Sequence, residues 1–132
     1  MTDSVGDAIA ETNEALDRAL MTNDPVAAAR CFTENAILGE SGMADVVGRD
    51  AIRDFLAAAN QKRSVTHHRV TRDELILAGD RAIEVARFEE TKAWPDRPPV
   101  NEWGRVVSFW RREPDGVWRI ERLVVSDLPE PS

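Results

Sequence analysis

Hydrophobic residues in the first part of the chain recur every three or four positions, which is the spacing of one helix face. A single stripe of this kind runs from Val5 to Leu20 and predicts a first helix. Asp24 and Pro25 follow as an N-cap carboxylate and a first-turn proline. They predict a second, short helix over Val26 to Phe32.

A third helical stripe begins after Gly48 and contains Ala51, Ile52, Phe55, Leu56 and Ala59. Between the second and third helices, the short apolar run Ala36 to Leu38 predicts a brief strand. The third stripe is apolar along one side only, so it must pack against a flat surface such as a sheet.

After Asn60 the pattern changes to four long runs rich in β-branched and aromatic residues. These predicted strands are Val65 to Leu77, Arg81 to Lys92, Val100 to Arg111 and Val117 to Asp127. The turns at 78–80 and 113–116 contain glycine and predict hairpins, whereas the prolines in 94–99 predict a longer connection. Helices followed by antiparallel strands predict an α+β fold with the helices on one face of a twisted sheet.

The 132 residues suffice for one domain, with a core over about 8–127 and a flexible tail over 128–132. A formal net charge of −7 makes nucleic acid and anionic membranes poor partners. Neither a cationic leader nor a long apolar run is present, which favours a cytoplasmic protein. The single cysteine, Cys31, is expected to be a small buried hydrophobe.

The positions of the four tryptophans are informative about the outer face of the sheet, which is turned away from the helices. Three of them lie on the last two predicted strands, in a chain that has no tyrosine. An apolar outer sheet face needs a partner, so a homodimer formed through the sheet is expected.

Three local motifs occur in a recognisable order: the segment Ala29–Ala36, the helix start Gly48–Phe55 and the Asp-Gly-x-Trp hairpin at 115–118. Together they resemble the SnoaL-like branch of the nuclear transport factor 2-like superfamily, over about residues 8 to 127. The resemblance implies a cone, in which a strongly curved, mainly antiparallel sheet wraps around three N-terminal helices and leaves an apolar pocket. It does not imply one reaction, because the superfamily includes isomerases, hydrolases, cyclases, dehydratases and binding modules.

The resemblance also implies acid–base chemistry by pocket carboxylates and histidines, without a cofactor. The aspartate that moves the proton in ketosteroid isomerases corresponds to Glu40. The two oxyanion-hole positions fall on Leu16 and near Val107, neither of which can donate a hydrogen bond from its side chain. Ketosteroid isomerisation is therefore not expected.

Glu40 is the candidate general base, and the alternative is a loop carboxylate in water. His67 and His68 are adjacent on a predicted strand, so their side chains point to opposite faces and only one of them can assist in a pocket. For each histidine the alternative is a hydrogen-bonded surface or interface position. A metal site is not expected, because neither histidine has a partner at metal-ligand spacing.

Arg122 shares an alternating row with Trp118, so it is expected to face into the cone if Trp118 packs on the helices. There it would need a carboxylate from Glu40, Glu84 or Glu102, and a structural salt bridge is the alternative. Glu84, between apolar neighbours, is likewise either a pocket group or one end of a cross-strand ion pair.

The residues predicted to line the ligand pocket are Leu16, Leu38, Phe55, Phe88, Trp103 and Trp118. For the aromatic side chains the alternative is the core and the dimer interface. The resulting hypothesis is a homodimeric pocket protein for a small, mostly apolar organic molecule, acting as a cofactor-independent isomerase, cyclase, lyase or hydrolase. The alternative is a non-catalytic dimerisation or ligand-sequestering module, in which the protein's own side chains fill the cone.

Overall fold

The computed structural model describes residues 4–131, apart from the side chain of Ser4. The helices in this range are α1 (Ser4–Met21), α2 (Pro25–Ala29) and α3 (Arg49–Asn60). The strands are β1 (Phe32–Glu40), β2 (Val46–Val47), β3 (Ser64–Ala78), β4 (Arg81–Trp94), β5 (Arg97–Arg112) and β6 (Trp118–Leu128). The α+β prediction is confirmed.

The strands form one six-stranded sheet in the order β2-β1-β6-β5-β4-β3. β1 runs parallel to β6, and every other neighbouring pair is antiparallel. The sheet is therefore mixed, and it curls so that the helices lie against its concave face. Between them lies a core whose largest fully buried apolar side chains are Trp110, Ile9, Ile52 and Ile120.

The helices begin where the sequence predicts. The Asp24 carboxylate accepts a hydrogen bond from the Ala27 amide at 3.1 Å, and Pro25 occupies the first turn of α2. Gly48 precedes α3 with a φ of 99°, which a side chain would oppose, and its amide donates to the Ala36 carbonyl at 2.7 Å. This bond ties the start of α3 to β1.

The first strand corrects the sequence analysis. Helix α2 ends at Ala29 and β1 begins at Phe32, so the predicted helix was too long and the predicted strand too short. Phe32 pairs with Ile120, whose amide donates to the Cys31 carbonyl at 2.9 Å. Pairing with the last strand therefore draws this segment into the sheet, a long-range effect that the local pattern does not contain.

The connection at 94–99 is also shorter than predicted. β4 continues to Trp94 and β5 begins at Arg97, which leaves two residues between them. The Arg97 guanidinium lies 4.1 Å from the centre of the Trp94 ring and stabilises this turn. The two prolines that follow coincide with a shift in the strand register, where a missing amide donor is tolerated.

At the other end of the chain, β6 includes Leu128, which pairs with Trp103, and Ser132 of the predicted flexible tail lies outside the described residues. Within residues 4–131, no helix is both long enough and apolar enough to span a membrane.

Candidate active site

A cavity of about 290 Å³ lies between the helices and the concave face of the sheet. Most of its wall is apolar. The lining side chains come from α1, from α3 and from the sheet, for example Leu16, Phe55 and Phe88. The polar side chains that line it are Asn13, Glu40, Arg63, His68, Glu90, Lys92, Glu102 and Ser108. An apolar chamber with a few polar groups is the usual form of a small-molecule site.

Six of the ten predicted site residues line this cavity: Glu40, His68, Leu16, Leu38, Phe55 and Phe88. The other four lie elsewhere: His67, Arg122, Trp103 and Trp118.

His68 is the best-supported acid–base group of the cavity. Its Nδ1 lies 2.6 Å from the Asp17 carboxylate, and its Nε2 lies 3.8 Å from the Glu90 carboxylate. Because a carboxylate accepts the proton of Nδ1–H, Asp17 favours the tautomer in which Nε2 carries the lone pair. The side chain lines the cavity and is only 11% exposed, so the ring is largely shielded from bulk water.

Asp17 was not among the predicted site residues. It follows Asn13 by four positions, which places both polar side chains on one side of α1, and both take part in hydrogen bonds within the fold. Two polar residues at this spacing inside an otherwise apolar stripe are the sequence signal that could have identified it.

Gly104 on β5 makes room for the Phe88 ring, on which the His68 ring stacks. Gly104 is paired with Phe88, and a Cβ at Gly104 would overlap the Phe88 ring and lie 2.6 Å from the Ser126 carbonyl oxygen. The missing side chain lets the Phe88 ring lie flat over β5. The His68 ring stacks on it with the centroids 6.1 Å apart and an interplanar angle of 11°.

Glu40 ends β1 and is half-buried on the cavity wall. Burial raises the pKa of its carboxyl group, and Lys92 opposes the rise, while the nearby carboxylates of Asp127, Glu90 and Glu102 add to it. These neighbours belong to β4, β5 and β6, so the curl of the sheet brings distant strands together here. A carboxyl group with a raised pKa holds its proton at a higher pH than an exposed glutamate and can donate it to a bound molecule.

Arg122 does not face into the cone, which corrects the prediction. Ile120 pairs with Trp110 and Arg122 with Phe109, so β6 has one extra residue, Glu121, at this point. This bulge shifts the alternation of β6 by one, and Leu123 and Val125 line the cavity in place of Arg122. Arg122 is exposed on the outer face of the sheet.

His67 also lies outside the cavity. It is 48% exposed, and its Nε2 lies 3.7 Å from Glu89. The prediction that the two histidines lie on opposite faces is confirmed.

The two predicted tryptophans lie away from the cavity for different reasons. Trp103 is half-buried and lies between Glu102 and Gly104, which belong to the inner face, so it occupies the outer face. Trp118 is 4% exposed within the core and does not line the cavity. Trp110 is also a core residue, so the tryptophan argument for an apolar outer face applies to Trp103 alone among these three.

Glu84 is one end of a cross-strand ion pair. Its side chain is 2% exposed and accepts from Arg72 Nε at 2.8 Å and from Asn13 Nδ2 at 3.0 Å. Of the two roles considered for this residue, the contacts support the structural one.

Cys31 and the two positions aligned with the oxyanion hole carry no reactive group. Burial raises the pKa of the Cys31 thiol to about 11, so it is protonated near neutral pH and unreactive. Val107 points to the outer face, and its inward neighbours Val106 and Ser108 carry no acid. Leu16 lines the cavity as predicted, without a donor.

The curled sheet, the helices inside it and the cavity between them define a protein of the nuclear transport factor 2-like cone fold. The SnoaL-like domain family matches residues 4–124, so the chain belongs to this family. None of the curated proteins matches the sequence.

Solved structures share the fold at low sequence identity. A ketosteroid isomerase-like protein from Erwinia carotovora atroseptica has a TM-score of 0.84 at 16% identity, with 98% of this chain and 100% of that chain covered. A Novosphingobium aromaticivorans protein provisionally named an aromatic ring hydroxylase has a TM-score of 0.80 at 27% identity, with 95% and 90% covered. A second protein from that organism, provisionally named a scytalone dehydratase, has a TM-score of 0.79 at 16% identity, with 93% and 83% covered. Because proteins with such different names share this fold, the fold alone does not define the reaction.

Proposed function

We propose that the cavity binds a small, mostly apolar organic molecule and that His68 and Glu40 exchange protons with it. The observation that carries the proposal is the 2.6 Å contact between Asp17 and His68 Nδ1 at the wall of an apolar chamber. Asp17 orients the imidazole and stabilises the imidazolium that forms when Nε2 accepts a proton. Glu40 is the second acid–base group.

This chemistry suits an isomerase, cyclase or lyase that uses protein side chains and no cofactor. One of the related structures carries a provisional dehydratase name, and dehydration is an elimination that also depends on a general base and a general acid. The open cavity supports this role over the non-catalytic alternative, in which the protein's own side chains would fill the cone.

The test uses 5-nitrobenzisoxazole, a small apolar probe. A base removes its C3 proton, the N–O bond breaks, and a nitrile and a phenolate form without any cofactor. His68→Gln should lower kcat/KM for this elimination by about 100-fold, since a positioned base contributes that much or more.

His67→Gln is the matched control, because the neighbouring histidine lies on the outer face, and it should leave the rate nearly unchanged. Equal rates for the wild type and the His68→Gln variant would refute the catalytic role. Binding of the probe with no elimination above the background rate would instead favour a non-catalytic pocket that only sequesters its ligand.

We also infer that a second copy of the chain covers the outer face of the sheet. There, Ile76, Ile83 and Phe109 are in register on β3, β4 and β5, and Val107 and Val124 are in register on β5 and β6. Ile76 is 47% exposed and Val124 is 42% exposed, so this apolar face meets water in the monomer.

Sedimentation tests this partner. The wild type should sediment as a dimer at micromolar concentration, and Val124→Lys should shift it towards the monomer. Val117→Lys is the control, because that valine is similarly exposed, at 41%, but precedes β6 and lies outside the sheet face. A monomeric wild type would contradict the inference.

A further inference from the structure

A serine hydroxyl in the cavity wall has no hydrogen-bond partner. Ser108 is 3% exposed, lines the cavity, and makes no side-chain hydrogen bond to any residue in the range 4–131. Its neighbours on the same face of β5 are Val106 and Trp110, and it pairs with Leu123 on β6. Among the described residues, Trp110 Nε1 is the one fully enclosed polar side-chain atom without a partner, so the unpartnered Ser108 hydroxyl is open to the cavity.

The obvious partner within the protein does not hydrogen-bond to Ser108. Glu84 lies directly opposite Ser108 on β4, so its carboxylate could have accepted a hydrogen bond from the hydroxyl. The structure instead gives that carboxylate to Arg72 at 2.8 Å and to Asn13 at 3.0 Å. Ser108 is therefore not part of the buried ion-pair network, and its hydroxyl is left to the contents of the cavity.

The same face of β5 has a second unpartnered donor. The indole Nε1 of Trp110, two residues along the strand, is buried and has no acceptor among the described residues. Side chains two apart on a strand point to the same side. Trp110 lies in the core and does not line the cavity, so Ser108 is the donor that this stretch of β5 presents to the cavity.

We propose that Ser108 is a ligand-binding residue whose hydroxyl donates a hydrogen bond to an oxygen atom of the bound molecule. The ligand is then an apolar molecule that carries a carbonyl or hydroxyl oxygen, and not a plain hydrocarbon. This proposal rests on the proposed function, because it takes the cavity to be a ligand site. It adds the substrate class and the residue that selects it.

The strand register fixes the position of Ser108 relative to Glu40. Leu38, Leu123 and Ser108 are in register across three strands, and the next row on the same face holds Glu40, Val125 and Val106. Rows two residues apart along a strand are separated by about 7 Å. An oxygen bound at Ser108 therefore lies one such spacing, about 7 Å, from the row that contains Glu40.

The test compares two probes with the same carbon skeleton, 2-tetralone and tetralin, which differ by one carbonyl oxygen. Binding is followed by the chemical shifts of cavity-lining residues in NMR titrations of the whole chain. The wild type should bind 2-tetralone more tightly than tetralin. Ser108→Ala should lower the affinity for 2-tetralone by roughly three- to tenfold and leave the affinity for tetralin nearly unchanged, as expected for one neutral hydrogen bond.

Two further variants control for packing. Ser108→Thr keeps a hydroxyl and should keep the preference for 2-tetralone. Ser126→Ala removes a serine on the outer face of β6 and should change neither affinity.

The outcomes separate the two proposals. If Ser108→Ala keeps the full preference for the ketone, or if the wild type shows none, the role of Ser108 is refuted while the cavity remains a ligand site. If neither probe perturbs the cavity-lining residues, the proposed function is refuted and the role of Ser108 with it.

Discussion

Two adjacent histidines on β3 show how the faces of the sheet differ. Each has a glutamate on β4 at almost the same distance, 3.7 Å from His67 to Glu89 and 3.8 Å from His68 to Glu90. His67 and Glu89 are 48% and 44% exposed, whereas His68 and Glu90 are 11% and 14% exposed. The inner histidine also has the Asp17 carboxylate at 2.6 Å.

The same pair of residue types therefore does not by itself define a site. On the outer face, water and salt screen the pair, and both side chains remain free to move. On the inner face, Asp17 of α1 holds a ring that lines the cavity and is largely shielded from bulk water. The same two residue types thus provide surface charge on one side and candidate chemistry on the other.

The largest expected effect comes from comparing ion pairs on the two faces of β3 and β4. Arg72→Met removes the cation from Glu84, which is 2% exposed, and should lower the free energy of unfolding by about 2 kcal/mol. This is less than for a fully buried pair, because the Arg72 side chain is 30% exposed. Arg87→Met, which breaks the exposed pair with Asp73, should have no measurable effect. Chemical denaturation measures both, and equal losses would contradict the comparison.

The second-largest effect is expected at Asp17, the carboxylate that contacts His68 and has no counterpart at His67. Asp17→Asn keeps the size of the side chain but cannot stabilise an imidazolium at His68, so kcat/KM for 5-nitrobenzisoxazole should fall about tenfold or more. Nitrogen-15 NMR of the ring should show the proton on Nδ1 in the wild type and a different tautomer balance in the variant. Glu89→Gln, on the outer face, is the control and should alter neither measurement. An Asp17→Asn variant as active as the wild type would show that Asp17 has no catalytic role.

The smallest effect is the pH dependence of stability at Glu40. Because its pKa is raised in the folded protein, Glu40 contributes most to stability when protonated, and this contribution is lost as the pH rises through the folded pKa. The wild type should therefore lose stability relative to Glu40→Gln over the pH range above about 4.3, the ordinary pKa of a glutamate. Melting temperatures across this range measure the difference. Glu34→Gln, at an exposed position of the same strand, controls for the change in net charge, and an unchanging gap between the wild type and Glu40→Gln would refute the effect.

The pattern of the sequence predicted most of the fold. Helix periodicity placed α1 and α3 almost to the residue, because these helices bury one stripe each. The four long strands were found because β-branched residues and glycine turns act locally. The extent of β1 was missed, because its length depends on pairing with β6, at the far end of the chain.

The candidate site was only partly predictable. Glu40 was found by resemblance, and His68 was found as one of two histidines whose alternation assigned them to opposite faces without saying which was inner. Arg122 was placed on the wrong face, because one bulge residue in β6 reverses the alternation that the prediction used. Asp17 was missed, since its role depends on β3 lying beside α1.

The class of fold, the helices, the strands and the residue types available for chemistry follow from the sequence alone, because periodicity and turn residues act over a few positions. Long-range contacts determine which histidine is buried, which carboxylate orients it, and which hydroxyl is left without a partner. These properties depend on the curl of the sheet and on one bulge, which bring together residues far apart in the chain. Burial and electrostatics follow from those contacts, so no local pattern could specify them.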